Sequence, residues 1–175
     1  KHEETRMVLD LQDISLFEIS SKAINQVLFL TNQKGIAIKN RVSKNVTVKA
    51  DADLLERVFV NLLTNAIKYS ETKSDVLIEA ESLTDQNVLR VKVIDSGIGI
   101  PNDKKHLVFQ KFGQVQAKKS GGVGSTGIGL TFCKMAVEAH GGEIDFESEP
   151  DKGTIFWFTL KKSNGELVAD VTETE

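Results

Sequence analysis

The sequence predicts an α/β (α+β) two-layer sandwich, a mixed and mainly antiparallel sheet with three main helices on one face. Three observations carry that expectation. Apolar residues recur at helical spacing in three separate segments. Between those segments they alternate with polar residues in pairs of short runs, and the runs of a pair are joined by connections too short for a parallel crossover. Strands joined in this way form antiparallel pairs, which disfavours the doubly wound parallel fold that houses many glycine-rich nucleotide sites.

Taken in order, Leu9, Leu11, Ile14 and Leu16 read as a short extended lead-in. Phe17, Ala23, Ile24, Val27, Leu28 and Leu30 follow at near-helical spacing, and Gly35 ends that helix. Ile36 and Ile38, then Val46 and Val48, alternate with polar neighbours, as an antiparallel pair with one buried face does. A second helix starts near Asp51 or Asp53, either of which can cap free N–H groups, and runs to about Tyr69. Val76, Ile78 and Ala80 form a hairpin with Leu89, Val91 and Val93 around a turn of Thr84, Asp85, Gln86 and Asn87. From Gly97 to Ser125 no steady period appears, and a connection of that length is usually functional or mobile. A third helix fits Thr126 to His140, stopped by Gly141 and Gly142. Ile144 and Phe146 close the domain with Ile155, Trp157 and Thr159, around a turn of Pro150, Asp151, Lys152 and Gly153.

At 175 residues, with 40% hydrophobic and 27% charged, the chain fits one globular domain with tails and is not a disordered segment. Lys+Arg at 22 against Asp+Glu at 25 gives 22 − 25 = −3, too balanced for a protein that coats nucleic acid. Cys133 is alone, which excludes an internal disulfide framework; with Phe132, Met135, Ala136 and Val137 nearby it reads as core. No apolar run approaches the roughly 18 residues of a membrane span and no signal-peptide pattern opens the chain, so the expectation is a soluble domain without direct membrane contact. The chain begins at Lys1 and not at Met, as a fragment of a longer protein would. Glycine is the informative residue: ten of 13 lie between Gly97 and Gly142.

On the second helix, Leu55, Phe59, Leu62, Leu63 and Ala66 share one side. With Asn61 at the origin and about 100° per residue, Asn65 falls near 40° and Lys68 near −20°, on the opposite side. Asn is a poor residue for a helix interior, because its amide competes for backbone hydrogen bonds. Two of them followed by a lysine are either a solvated face or a set of amide oxygens for a hard cation, with an ammonium for the same anion. Magnesium suits the second reading, since it keeps several waters and needs few protein ligands when phosphate supplies the rest.

Val91, Val93 and Ile94 run into Asp95, Ser96, Gly97, Ile98, Gly99, Ile100 and Pro101. This is either a plain strand-ending turn or the wall of a pocket into which Asp95 points as an acceptor. A carboxylate there suits the exocyclic amine of adenine and rejects a keto group. Gly121, Gly122, Val123, Gly124, Ser125, Thr126, Gly127, Ile128, Gly129 and Leu130 precede the third helix. They can cradle phosphate at a helix N-terminus or serve as a flexible linker. No Walker loop is formed, since no Lys-Ser or Lys-Thr follows the last glycine, and no parallel βαβ unit makes it a dinucleotide fingerprint. Phe109 and Phe112 either pin a closing lid or anchor a loop on the core.

These pieces occur in one order: Asn61 to Ser70, Asp95 to Gly99, Phe109 to Phe112, Gly124 to Leu130, and Gly153-Thr154-Ile155-Phe156. The set resembles the N, G1, F, G2 and G3 boxes of the ATP-binding catalytic domain of sensor histidine kinases, over about Leu9 to Leu160. The resemblance implies the Bergerat or GHKL fold shared with gyrase B, Hsp90 and MutL, with ATP and Mg²⁺ as cofactors. It implies that Asn65 and Asn61 position Mg²⁺, that Lys68 contacts phosphate and that Tyr69 packs near the nucleotide. Asp95 would bind the adenine amine, with Gly97, Gly99 and Ile100 shaping that pocket and Thr154 beneath the base. Phe109 through Gly124, with Phe112, would form a lid, and Gly127, Gly129 and Leu130 its phosphate-side hinge, with Thr126 and Ile128 also at the nucleotide.

The resemblance also implies a domain over 9–162, preceded by the end of a dimerisation helix or linker over 1–8 and followed by an acidic tail or linker over 163–175. The phosphoacceptor histidine would lie on an absent dimerisation domain, and the phosphoryl group would pass to a response regulator. A monomeric, cytoplasmic catalytic fragment is expected, belonging to a protein that can be anchored in a membrane elsewhere. His2-Glu3 looks like the start of a phosphoacceptor box but stands too close to the lead-in strand to be one; His106 and His140 suit solvated or helix-capping roles.

One departure separates branches of the superfamily. Its ATP-hydrolysing members carry a water-activating glutamate one turn before the magnesium asparagine, where this chain has Asn61. Glu56 does not replace it, because five residues along a helix it projects about 140° away. Without a general base on that face, transfer to a separately supplied nucleophile is favoured over hydrolysis. A GHKL-type ATPase, an anti-sigma-like serine kinase and a non-catalytic nucleotide sensor stand as alternatives. Ser125, where the family often has glycine, bears on lid geometry and not on nucleotide binding.

Overall fold

A computed structural model describes residues 7–83, 87–110 and 128–163. Its elements run β1 (Leu11–Ser15), α1 (Leu16–Gln26), α2 (Leu28–Lys34), β2 (Ala37–Asn40), β3 (Thr47–Asp51), α3 (Ala52–Tyr69), β4 (Asp75–Ser82) and β5 (Val88–Asp95). A short 3₁₀ turn (Asn102–Leu107), α4 (Ile128–Ala139), β6 (Ile144–Glu149) and β7 (Gly153–Lys161) follow. The expected sandwich is present. A five-stranded sheet in the order β2-β4-β5-β7-β6 carries the helices, and β1 and β3 form a separate antiparallel ribbon.

Two local expectations fail. The strands at Ile36–Ile38 and Val46–Val48 do not pair with one another: β2 lies parallel to β4 at the sheet edge, and β3 pairs with β1. Asn40 explains the divergence. Its Nδ2 donates to Ser20 Oγ (3.0 Å) and Ser21 Oγ (3.1 Å) on α1 and its Oδ1 accepts from Val42 N–H, so the chain leaves β2 towards the helix layer and cannot turn back as a hairpin. β4 is then reached by a crossover through α3, as a parallel neighbour requires.

The first helix is also two helices. Val27 (φ −108°, ψ 11°) interrupts it, and the Val27 carbonyl accepts the N–H groups of both Leu30 and Thr31. The break turns the apolar stripe, leaving Leu28 44% exposed and burying Thr31, whose hydroxyl is satisfied by the Leu28 carbonyl at 2.9 Å.

Other starts and stops follow the sequence signals. Ser15 caps α1 by accepting the Glu18 N–H (3.2 Å), Asp51 caps α3 by accepting the Leu54 N–H (3.1 Å), and Gly35 ends α2 in the left-handed conformation (φ 69°). Helix α3 runs between α1 and α4 with Leu55, Val58, Phe59, Leu62, Leu63, Ala66 and Ile67 buried. Phe59 meets Phe158 of β7 edge to face, with centroids 5.6 Å apart. Alternation on β5 sends Leu89, Val91 and Val93 to the helix side, and Phe156, Phe158 and Leu160 do the same on β7.

Truncating Phe59 to Ala should therefore cost about 3–5 kcal/mol of stability in urea denaturation, as aromatic core deletions do. The substitution Leu28→Ser should stay within about 0.5 kcal/mol, as exposed positions do. Equal losses would contradict the break at Val27.

Candidate functional site

The inward-facing register of the sheet ends in polar residues. On β5 the buried series Leu89, Val91, Val93 continues to Asp95; on β7 the buried series ends at Thr154; on β6 Ile144 and Phe146 are followed by Ser148. Pairing places Asp95 opposite Thr154 and Ser148 opposite Thr154, so the three form one row at the end of the helix-facing side of the sheet. The row before it is Phe146, Phe156, Val93 and Ile78.

Asp95 is buried and Oδ1 accepts the Gly97 N–H at 2.9 Å. Burial pushes its carboxyl above the ordinary 3.8, while the N–H groups of Gly97 and Thr154 hold it down. The Ser148 hydroxyl oxygen accepts the Ile100 N–H (2.8 Å) and lies 3.0 Å from the Gly153 carbonyl and 2.9 Å from Thr154 Oγ1. Lys105 Nζ donates to the Ser148 carbonyl at 2.6 Å. Ser148 was not anticipated; only the strand register, with a hydroxyl where the third inward apolar residue belongs, could have revealed it.

The turn between β5 and the 3₁₀ helix is wedged between backbones. A Cβ on Gly97 would lie 2.0 Å from the Tyr69 carbonyl oxygen, and Gly99, at φ +77°, would place one 2.2 Å from the Glu149 carbonyl oxygen. Ile98 N–H donates to the Tyr69 carbonyl at 3.4 Å and Asp151 N–H to the Ile98 carbonyl at 2.6 Å. The end of α3 and the β6–β7 turn thus hold the Asp95 turn from two sides. Burial raises the Tyr69 phenol above its ordinary range, and Lys68 Nζ stands 5.5 Å from the centre of that ring.

Asn61, Asn65 and Lys68 lie on α3, all half-buried. Asn61 Nδ2 donates to the Gly129 carbonyl (3.3 Å) at the start of α4, and the Asn61 amide offsets part of the rise that burial imposes on the Cys133 thiol. Cys133 is core, as expected: burial pushes its thiol up to about 12, and Sγ sits 3.7 Å from the Val58 carbonyl oxygen. Leu130 packs into the same core.

Phe109 is an anchor. Its ring lies 6.0 Å from Phe146 and 6.1 Å from Phe156, and its carbonyl accepts from Thr131 Oγ1 at 3.4 Å. Phe112, Gly124, Thr126 and Gly127 lie outside the described residues, and Ile128 opens α4. His140 joins the two ends of the helix layer: Nε2 accepts the Asp51 N–H (3.0 Å) and Nδ1 donates to the Ala136 carbonyl (2.7 Å). His106 is exposed.

The profile of the histidine kinase-, DNA gyrase B- and HSP90-like ATPase family matches residues 50–164. The chain belongs to this family. Within it, the signal transduction histidine-protein kinase BarA of Escherichia coli K12 is 32% identical over 164 residues, which are 91% of this chain and 18% of BarA. Full-length ShkA, solved in complex with AMPPNP, superposes with a TM-score of 0.78 at 26% identity, over 91% of this chain and 32% of ShkA. The histidine kinase ThkA in complex with the response regulator TrrA gives 0.71 at 25%, over 89% of this chain and 43% of that one. The chain therefore spans less than half of each of these proteins, and it carries their GHKL fold.

A carboxyl raised by burial binds its proton more tightly in the native state than in the unfolded state. Asp95 therefore contributes less to stability as pH rises through the window above 3.8, and regains it as pH falls. Asp95→Asn should be more stable than the wild-type domain at neutral pH, and the difference should shrink as the pH approaches about 4 in paired urea titrations. A difference that stays constant or widens on acidification would show that burial does not dominate at Asp95.

Proposed function

We propose that this chain is the ATP-binding catalytic domain of a sensor histidine kinase and presents Mg²⁺·ATP to a histidine on a separate dimerisation domain. The observation that carries this reading is the pairing of a buried acceptor with a base-free helix face. Asp95 offers carboxylate oxygen at the inner end of the sheet, while Arg57, Asn61, Asn65 and Lys68 on α3 include no carboxylate. Glu56 is engaged by Gln26 Nε2 of α1, on the other side of the helix.

The recognition chemistry follows from the donor inventory. An adenine amine donates to Asp95, Thr154 supplies a hydroxyl beside it, and a purine with a keto oxygen at that place sets an acceptor against the Asp95 carboxylate with no proton between them. Lys68 and the asparagine face lie along α3 from Tyr69, on the side proposed for the phosphates.

The residues present fit a magnesium ion. The Asn61 nitrogen is committed to Gly129, which leaves its amide oxygen, with that of Asn65, as a hard donor; among the described residues no cluster of three acidic, His or Cys side chains competes for a metal. When bound, Mg²⁺ would screen the phosphate charge. Asn61 and Asn65 would hold it, and Lys68 would steady the transferring group.

The absence of a general base selects the nucleophile. Water must lose a proton as it attacks, whereas a neutral imidazole nitrogen attacks through a free lone pair. A site that positions and neutralises without removing a proton therefore suits phosphoryl transfer to histidine. In the full protein the phosphoryl group would pass on to a receiver aspartate of a response regulator, a reading supported by the ThkA relative seen with TrrA. We assign the domain to 9–162, with 1–8 as the end of a dimerisation helix or linker and 163–175 as an acidic tail or linker. Among the described residues no helix is long and apolar enough to cross a membrane, in keeping with a domain that acts beside one and not within it.

Incubating the domain with γ-labelled ATP and a separate phosphoacceptor hairpin should label the histidine. Asp95→Ala should abolish both ATP binding and labelling while circular dichroism stays native. Phosphate release without labelled histidine would favour an ATPase, and binding without either a nucleotide sensor. Calorimetry should also show ATP affinity rising with Mg²⁺ in the wild type and losing most of that dependence in Asn65→Ala; a variant that responds fully to Mg²⁺ would remove Asn65 as a ligand.

A further inference from the structure

Helix α3 ends without a glycine cap. Ser70 follows it in an extended conformation (φ −80°, ψ 157°), so the last carbonyls of the helix need partners from elsewhere. Ala66 O takes the hydroxyl of Ser70 and shares the Ser70 N–H with Ile67 O, and Tyr69 O takes Ile98 N–H. One side chain of another helix gathers the carbonyls around this end. Lys34, the last residue of α2, donates its Nζ to the carbonyls of Ile67 (2.8 Å), Lys68 (3.0 Å) and Ser70 (2.8 Å). Three acceptors match the three protons of an ammonium, and a positive charge at a helix C-terminus also meets the negative end of its dipole.

Lys34 is itself held. Its own carbonyl accepts the Lys73 N–H at 3.0 Å, Gly35 after it turns in the left-handed region, and Ala37 N–H then donates to the Ser74 carbonyl where β2 and β4 begin their parallel pairing. The ammonium therefore reaches the end of α3 from a fixed base.

From these contacts we infer that Lys34 is a positioning residue of the nucleotide site. It fixes the final turn of α3, which bears Lys68 and Tyr69 and whose Tyr69 carbonyl abuts the Gly97-Ile98 turn after Asp95. The two halves of the site, the helix face and the Asp95 turn, meet at that peptide, and Lys34 sets where the peptide lies. The inference rests on the nucleotide reading above, and it adds a residue that touches none of the ligand atoms.

A cap with only a structural role would lower the melting temperature and leave affinity intact. Lys34→Met keeps the stem and loses the ammonium. Calorimetry with ATP, at a temperature where circular dichroism shows the variant fully folded, should give affinity reduced roughly tenfold, about 1.4 kcal/mol. Lys34→Arg should recover most of it. The control Ser15→Ala removes the α1 cap, away from the site, and should lower the melting temperature with affinity unchanged. Wild-type affinity in Lys34→Met would overturn the proposal. Should that variant not fold, Lys34→Gln, which keeps an amide donor without the charge, decides in the same way: weakened ATP binding supports the role and full affinity refutes it. A wild-type domain with no affinity for ATP would instead defeat the nucleotide reading and this inference with it.

Discussion

Backbone meets backbone where the end of α3 reaches the end of the sheet. The carbonyl of Tyr69, at the end of α3, faces the Gly97-Ile98 turn closely enough that a single added carbon on Gly97 would lie 2.0 Å from its oxygen. Nothing bulkier than hydrogen fits between the helix that carries the asparagines and the turn that carries Asp95, so their separation is set by main-chain contact and not by adaptable side chains. Side chains relax when a neighbour changes, whereas a peptide wedged against a peptide moves only with its whole element. The second side of the wedge, Gly99 against the Glu149 carbonyl, transfers the same rigidity to the β6–β7 turn.

That rigidity matters because Asp95 is an expensive residue to place. Its side chain stands in the row where the inward apolar register of three strands runs out, and burial opposes its charge. The Gly97 and Thr154 N–H groups offset part of the cost, yet an ionised carboxylate has room for about four hydrogen bonds. A ligand that brings a donor would relieve what remains. The sheet thus holds a desolvated acceptor in a fixed direction, and Ser148 ties the hydroxyl of Thr154 into the same row. Specificity follows from unpaired capacity: a ligand that brings a donor completes the row, and one that brings an acceptor leaves two buried oxygens facing each other.

Much of this was legible in the sequence because it is local. The Asp51 cap, the apolar stripe of α3 and the alternation that delivers Asp95 to the inner face are all encoded within a few residues of where they act. What escaped depends on contacts between distant segments. The separation of β2 from β3 turns on Asn40 reaching Ser20 and Ser21, and the placing of Ser148 on a register that crosses two strands. Lys34 is a basic residue ahead of a glycine, a pattern that says only that a helix ends there; its partners lie more than thirty residues away (|i−j| = 33, 34 and 36). Val27 also breaks a helix whose apolar spacing is continuous, and the break leaves Leu28 exposed and Thr31 buried with its hydroxyl on the Leu28 carbonyl.

The missing glutamate has a structural counterpart. Asn61 sits on the seam between α3 and α4, where Arg57 also lies 4.0 Å from the Phe132 ring centre, and its amide nitrogen donates to the Gly129 carbonyl. A carboxylate at position 61 would set an acceptor against that carbonyl, with no proton to share unless it gave up its charge. An ionised base and this seam therefore exclude each other at the same position. The amide that closes α4 onto α3 thus leaves no carboxylate at this point of the helix face, and in the function proposed above the same side chain would bear on both helix packing and the choice of nucleophile.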